Sequence, residues 1–243
     1  WPTLFALKGW QPEDTLSLND IYDMLKKQES LNFSPGTEFS YSNSNYNLLV
    51  KLVESVTDKS FEPWMHDNVF VPLGMDNTYY LDANNSEDNA MAHSYIYTGN
   101  NFIPFSNNLN APGSSSLMSS TADMSRWLIN FNNKTLGGDG VYNKITQKAN
   151  LNNSKTIDYG YGLYLNEIKN KKASGHDGAW GGYRSATVFF PEENVGVVIL
   201  SNNGTLRPLK IMDDIAGILF GDEKEKKTKE SKSTEQEIND EFF

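Results

Sequence analysis

Cysteine is absent from the 243-residue sequence. The chain therefore carries no disulfide framework, no thiolate nucleophile and no cysteine-ligated zinc, while the compartment stays open. Long apolar runs are missing as well. The longest candidate, Val195-Gly-Val-Val-Ile-Leu200, falls far short of the ~18 residues that a membrane span requires, so no span is expected in this chain. Positive charge is scarce: Lys+Arg number 21 against 31 Asp+Glu, giving a formal charge of −10 and a pI near 4.8. A surface of that sign repels phosphate backbones, and no nucleic-acid partner is expected. Histidine occurs only as His66, His93 and His176, without His-Glu-x-x-His spacing, and neither glycine-rich phosphate cradle is present. No metal or other cofactor is therefore expected. A Gly-x-Ser-x-Gly elbow is lacking too, which disfavours conventional α/β-hydrolase chemistry.

What is present is a globular pattern. Aromatic residues make up 12% of the chain, more than a segment too polar to bury a core would carry. At this length one core suffices, and we place a single domain over residues 1–221, followed by a charged segment, 222–243, that reads as a tail or linker. Trp1 to Pro12 reads as an irregular lead-in. Ser17 with Asp20 three residues on reads as a capping box, opening a helix to about Glu29. Pro35-Gly36 forms a turn, and a short extended stretch, Thr37 to Tyr41, feeds a helix with Tyr46, Leu48, Leu49, Leu52, Val53 and Val56 on one broad face.

A third helix is expected from Phe61 to Phe70, stopped by Val71-Pro72-Leu73-Gly74. Thr78 to Leu109, rich in Tyr and Phe, reads as a loop-rich lobe. Thr121 is expected to cap a helix bearing Met124, Trp127, Leu128 and Phe131, with Gly137-Gly138-Asp-Gly140 as the turn that ends the region. Then come β-type runs, Tyr159 to Leu165, Arg184 to Phe190 and Val195 to Leu200. The last two form an antiparallel hairpin across Pro191-Glu-Glu-Asn194, and a final helix spans about Arg207 to Phe220.

Two segments could carry chemistry. The first is Phe33-Ser-Pro-Gly-Thr-Glu-Phe-Ser-Tyr41-Ser42-Asn43-Ser-Asn-Tyr46, with Pro72-Leu-Gly-Met75 downstream. The second is Ser174-Gly-His176-Asp177-Gly178-Ala179-Trp-Gly-Gly-Tyr183-Arg184. Together they resemble the β-lactamase-related serine hydrolases, which include class C β-lactamases, D-alanyl-D-alanine carboxypeptidases, D-aminopeptidases and related esterases. Tyr41-Ser42-Asn43 resembles the family's Tyr-x-Asn element, and His176-Asp177-Gly178 the His-x-Gly variant of its Lys-Thr-Gly element. The resemblance runs from about Trp1 to Phe220. It implies an α+β, β-lactamase/transpeptidase-like fold: an antiparallel sheet flanked by helices plus a helical lobe. It also implies acyl-enzyme hydrolysis of a small-molecule or peptide substrate, and export to the periplasm or the cell exterior.

The chemistry of these side chains agrees with that reading. Acyl transfer from a serine needs a base, a proton donor for the leaving group and backbone donors for the oxyanion. Tyr41 serves as a base only if a cation, the family's lysine or His176, lowers its pKa from ~10. Taken alone, it reads first as a core tyrosine bonded to backbone, and the neighbouring motifs turn the reading toward the base. Asn43 can donate to a substrate carbonyl and accept from an ammonium. Gly178 would let an edge strand approach the substrate, and the resemblance assigns the Ala179 N–H to the oxyanion. His176 is a turn residue or a substrate-facing cation, and the resemblance favours the cation. A histidine gains or loses charge near pH ~6.5, which makes recognition of a β-lactam carboxylate less assured and a peptidase or esterase role more so. Arg184 is either a strand surface residue or an anchor for a substrate carboxylate.

One departure dominates. No serine in the chain has lysine three residues later, so the family's Ser-x-x-Lys nucleophile motif is missing. The expectation is a chain truncated before Trp1, short of the nucleophile helix and the first strands, and inert alone. The alternative is a non-catalytic binding protein that retains the cleft. The oligomeric state is not legible in the sequence.

Overall fold

The β-branched and aromatic runs of the last third form the central sheet. β9 (Tyr164–Ile168), β10 (Lys171–Trp180), β11 (Tyr183–Phe190) and β12 (Val195–Ser201) lie in the order β12-β11-β10-β9, every pair antiparallel. Side chains alternate across such a sheet. Ala186, Val188 and Phe190 of β11 meet Met212 and Ala216 of the C-terminal helix α8 (Pro208–Phe220), and the intervening Phe189 meets Leu128 and Phe131 of α6 (Thr121–Asn133) on the opposite face. The sheet is thus packed between helices, and each large apolar side chain buried there contributes roughly 1.5–3 kcal/mol. This is the expected α+β arrangement.

The computed structural model describes residues 2–11, 14–81, 91–105 and 108–221, so the segment expected as a tail or linker lies outside the described residues. The remaining helices are α1 (Pro2–Leu7), α2 (Leu18–Leu25), α3 (Asn43–Thr57), α4 (Phe61–Met65), α5 (Val71–Leu73) and α7 (Gly138–Ile145). The remaining strands are β1 (Leu16–Ser17), β2 (Tyr79–Tyr80), β3 (Ser94–Tyr97), β4 (Phe102–Phe105), β5 (Leu109–Asn110), β6 (Leu117–Met118), β7 (Ala149–Asn150) and β8 (Thr156–Ile157). β1 pairs in parallel with β5, and Phe5, Leu16, Ile21, Met24, Leu109 and Ala111 form a second core under the helical lobe. Asp123 ties that lobe together. Its fully buried carboxylate accepts from Asn77 N–H (2.7 Å), Thr78 Oγ1 (2.9 Å) and Arg126 Nη1 (2.7 Å).

The capping box forms as read: Ser17 accepts from Asp20 N–H, and the Asp20 carboxylate accepts from Ser17 N–H. Several other boundaries differ. The lead-in contains α1, and α2 ends at Leu25 rather than Glu29. Thr37 to Tyr41 is irregular. Ser120, not Thr121, is the N-cap of α6, accepting from Asp123 N–H. The glycines at 138 and 140 lie inside α7, where Tyr142 and Ile145 pack toward α6 and outweigh the poor helix propensity of glycine.

Pro72 does not stop the third helix. A π-helical turn, His66–Phe70, in which Val71 N–H reaches the His66 carbonyl, places Pro72 in the first turn of α5, where a missing N–H costs nothing. The helix runs on to Leu73 and ends at Gly74. Within the aromatic lobe, β3 and β4 form a hairpin docked on the main sheet by Tyr95 N–H to Asn202 O and by Asn202 Nδ2 to His93 O. In α3 the buried positions are Asn47 and Val50, whereas Leu48, Leu49, Leu52 and Val56 are exposed. Of the broad apolar face read from the sequence, only Tyr46 and Val53 are partly buried.

Candidate active site

Ser42 caps α3 by accepting from Asn45 N–H at 3.2 Å. The cap fixes the Tyr-x-Asn element: Asn43 becomes the first helical residue, and Tyr41 is held just outside the helix with extended backbone after it. Tyr41 is half exposed. Its ring centroid lies 5.7 Å from that of His176, which arrives from the middle of β10, 135 residues along the chain. The His-x-Gly element is therefore on a strand, not in a turn.

β9 pairs with β10 only from Lys171 to Gly175, so β10 is an open edge from His176 onward. The two-residue turn at 181–182 makes Trp180 and Tyr183 a hydrogen-bonded pair, and pairing alternates back along the strand. Asp177 and Ala179 consequently aim their N–H and C=O groups at that open edge. There lies a cavity of about 430 Å³ whose lining includes all five residues singled out from the sequence, Tyr41, Asn43, His176, Gly178 and Ala179. A second cavity, about 360 Å³ between α2, α3 and α4, holds none of them. Its Tyr22 hydroxyl and Glu54 carboxylate are already engaged, with Asn47 O and with Lys51 Nζ and Phe61 N–H respectively.

Gly178 has a local reason as well. A Cβ there would stand 2.5 Å from the hydroxyl of Ser185, its cross-strand partner. The missing side chain thus serves the β10–β11 contact in addition to leaving the edge open.

His176 is held by its two nitrogens. Nδ1 lies 2.6 Å from the Asp177 carbonyl, which can only accept, so Nδ1 carries the proton; in the neutral ring Nε2 then accepts from the Tyr159 hydroxyl at 3.1 Å. The hydrogen-bonded chain thus runs from Tyr159 through His176 to the Asp177 carbonyl. Tyr46, on the same wall, has its phenol raised by burial and then by Tyr41. Tyr164 stacks on the imidazole with centroids 4.7 Å apart, and Tyr159 meets Tyr164 edge-on at 5.1 Å. The sequence reading placed Tyr159 and Tyr164 together in one strand. Only Tyr164 is in a strand, because Gly160 to Gly162 form a loop that folds Tyr159 back onto His176.

Electrostatics here run against an activated phenol. Burial, then Tyr164, then the Asp177 charge push Tyr41 above the ordinary phenol value, and burial and Asp177 do the same to Tyr164. Tyr159 is raised further, by burial and by its neighbouring phenols. His176 does not bring Tyr41 down, so a base role requires a cation beyond those among the described residues. Arg184 is not in the cavity lining: its Nη1 is spent on the Gly181 and Tyr183 carbonyls, closing the β10–β11 turn. His93 does not line the cavity either, and His66 is an exposed residue beside Asp67.

The sequence reading missed the residues that hold the other wall. Gly113 and Ser114 line the cavity, and fully buried Asn47 anchors them. Asn47 Nδ2 donates to Pro112 O (3.0 Å) and Ala111 O (3.4 Å), while its Oδ1 accepts from Ser114 Oγ (3.2 Å). A Cβ on Gly113 would stand 2.5 Å from the Tyr46 carbonyl, so only glycine permits this turn to press on α3. The cluster Pro112-Gly113-Ser-Ser-Ser was the available signal. Among the described residues no group of His, Cys, Asp and Glu is arranged to hold a metal, and no helix is long and apolar enough to cross a membrane.

Residues 6–219 match the Beta-lactamase family. A D-aminopeptidase of Brucella ovis is 26% identical over 218 residues, covering 88% of this chain and 42% of that protein. The chain therefore spans less than half the length of this curated relative. The octameric penicillin-binding protein homologue from Pyrococcus abyssi superposes with a TM-score of 0.77 at 24% identity, over 87% of this chain and 49% of its own. A D-stereospecific amidohydrolase from Streptomyces sp. gives 0.67 at 18% identity, over 84% and 61%.

Proposed function

Since this chain belongs to the Beta-lactamase family, we propose that it supplies the Tyr-x-Asn and His-x-Gly walls of a serine-hydrolase active site acting on amides of D-amino acids or peptides with a D-residue at the N-terminus. The observation that carries the reading is the convergence of Tyr41, Asn43, His176, Gly178 and Ala179 on one cavity. The names of the Brucella and Streptomyces relatives support the substrate class.

In this reading a serine oxygen attacks the substrate carbonyl carbon, and its proton passes by way of Tyr41 to the departing amine. Water then hydrolyses the ester so formed and regenerates the serine. Asn43 orients the substrate carbonyl. The Ala179 N–H at the open edge of β10 stabilises the oxyanion, a contribution of about 2.7–4 kcal/mol per donor. His176, fixed by Tyr159 and the Asp177 carbonyl, holds the edge strand and the ring of Tyr41 in register. The serine and the cation that lowers Tyr41 belong to a part of the full-length protein outside these 243 residues, so this segment alone does not turn over substrate. Export to the cell envelope is part of the same proposal.

The test is hydrolysis of D-alanine p-nitroanilide by the full-length gene product. Tyr41→Phe is expected to lower kcat/KM by about 10²–10⁴-fold, the usual worth of a positioned proton-transfer group. Turnover unchanged by Tyr41→Phe overturns the role. Binding of the anilide by the full-length protein without hydrolysis would assign the non-catalytic alternative instead.

A further inference from the structure

We propose that Asp177 is the anchor for a substrate ammonium group, making the cavity selective for amine-bearing amino-acid derivatives over N-acylated or carboxylate-bearing ones. The inference rests on the reading of this cavity as the substrate site and names the feature of the substrate that the β10 wall selects.

Asp177 is the middle residue of the His-x-Gly element, a position to which the sequence assigns no chemistry. Three observations converge on it. It lines the cavity together with Tyr41, Tyr159, Tyr164 and His176, and no lysine, arginine or other carboxylate residue is in that lining. Among the described residues its carboxylate has no hydrogen-bond or ion-pair partner, and Arg184, its diagonal neighbour across β11, is already bonded to two carbonyls. A half-buried carboxylate without a partner is an electrostatic vacancy for a cation. Finally, β10 is bare of β9 from His176 onward, and the cavity at that open edge is lined by Asp177 and Tyr164 as well as by His176.

The surroundings suit a primary ammonium. The aromatic rings of Tyr41 and Tyr164 line the same cavity, aromatic rings attract cations, and the Asp177 charge already acts on both phenols. An ammonium placed there would cancel one of the causes that keep Tyr41 protonated, so a correctly charged substrate would ease the proton transfer asked of Tyr41. A substrate carboxylate would meet like charge instead.

Asp177→Asn keeps the shape and removes the charge. The first readout is binding of D-alaninamide and N-acetyl-D-alaninamide to the 243-residue chain, followed by amide NMR shifts at Gly178 and Ala179. The second is the ratio of kcat/KM for D-alanine p-nitroanilide to that for its N-acetyl derivative in the full-length protein. Loss of a charge-assisted contact is expected to shrink the preference for the free amine by about 10–100-fold in both readouts, with the kinetic loss mainly in KM. A preference that is absent in the wild type, or equal in wild type and Asp177→Asn, overturns the proposal. The two readings separate cleanly. Amine-selective binding abolished by Asp177→Asn without any hydrolysis would keep the ammonium site and remove the hydrolase. Hydrolysis indifferent to the charge at 177 would do the reverse.

Discussion

Replacing Asn47 tests how the cavity wall is built. This side chain is fully buried and joins α3, which carries Asn43 and Tyr46, to the Pro112–Ser114 turn. In Asn47→Ala two good hydrogen bonds disappear, at about 1 kcal/mol each, and the Pro112 carbonyl and Ser114 hydroxyl lose a partner, for a total of about 2–4 kcal/mol. At roughly 2–4 °C per kcal/mol for a chain of this size, the thermal midpoint should fall by about 4–16 °C. Asn47→Asp is the sharper probe. It keeps the acceptor for Ser114 but turns the donor facing Pro112 O into a buried, unpaired charge, so at pH 7 it should lose more, about 3–5 kcal/mol. That excess should shrink as the pH is lowered, because a protonated carboxyl can donate to Pro112 O again. The assay is thermal and urea unfolding of both variants at pH 7 and pH 4, with the urea slope checked for constancy. If Asn47→Asp proves at least as stable as Asn47→Ala at pH 7, the donor role of Nδ2 is wrong and the wall is held by shape alone.

Three further outcomes are expected. Tyr159→Phe keeps the ring contacts but withdraws the hydrogen from His176 Nε2, which should cost about 0.5–1.5 kcal/mol in urea unfolding and loosen the imidazole; an unaltered ¹⁵N spectrum of His176 would refute the assigned tautomer. Alkaline stability follows from the raised phenols. Burial holds Tyr41, Tyr46, Tyr159 and Tyr164 above the ordinary phenol value of about 10 in the folded chain, and Tyr22, buried against α3, is pushed up to about 12. The folded state therefore keeps protons that the unfolded state releases. Their contribution is present below pH 10 and is lost as the pH climbs from there toward the folded values, so the thermal midpoint should drop across that window, less steeply in Tyr159→Phe. A midpoint flat from pH 10 to 12 would contradict this. Gly113→Ala should destabilise the chain and disturb the NMR signals of Asn43 and Tyr46, since its Cβ meets backbone that cannot move aside; a silent substitution would show that the turn does not press on α3.

Local chemistry was the legible part of the sequence. The Ser17–Asp20 box, the Arg184–Leu200 hairpin and the last helix are dictated by neighbours close in sequence, and the structure has them close to where the pattern places them. Tyr41 and Asn43 straddle a helix start because Ser42 is a capping residue, which a tripeptide reveals. Long-range convergence was the illegible part. Nothing in the spacing of Tyr159 and Tyr164 says that a glycine-rich loop folds the first back onto His176. Asn47 was not singled out on a helix read by its apolar residues, although it is the buried member and its leucine neighbours are exposed. Asp177 was passed over because a motif variable by definition draws no attention to its middle position, and its charge matters only once the open edge of β10 is known.

The most direct measurement is a structure of the full-length protein treated with a serine-directed phosphonate. The account predicts a single phosphonylated serine within about 2.6–3.2 Å of the Tyr41 hydroxyl, the hydrogen-bond reach required of a proton-transfer partner, with the phosphonyl oxygen on the Ala179 N–H and the ligand in the cavity edged by His176 and Asp177. An adduct on a serine remote from that cavity, or no adduct in a protein that hydrolyses its substrate, would contradict it.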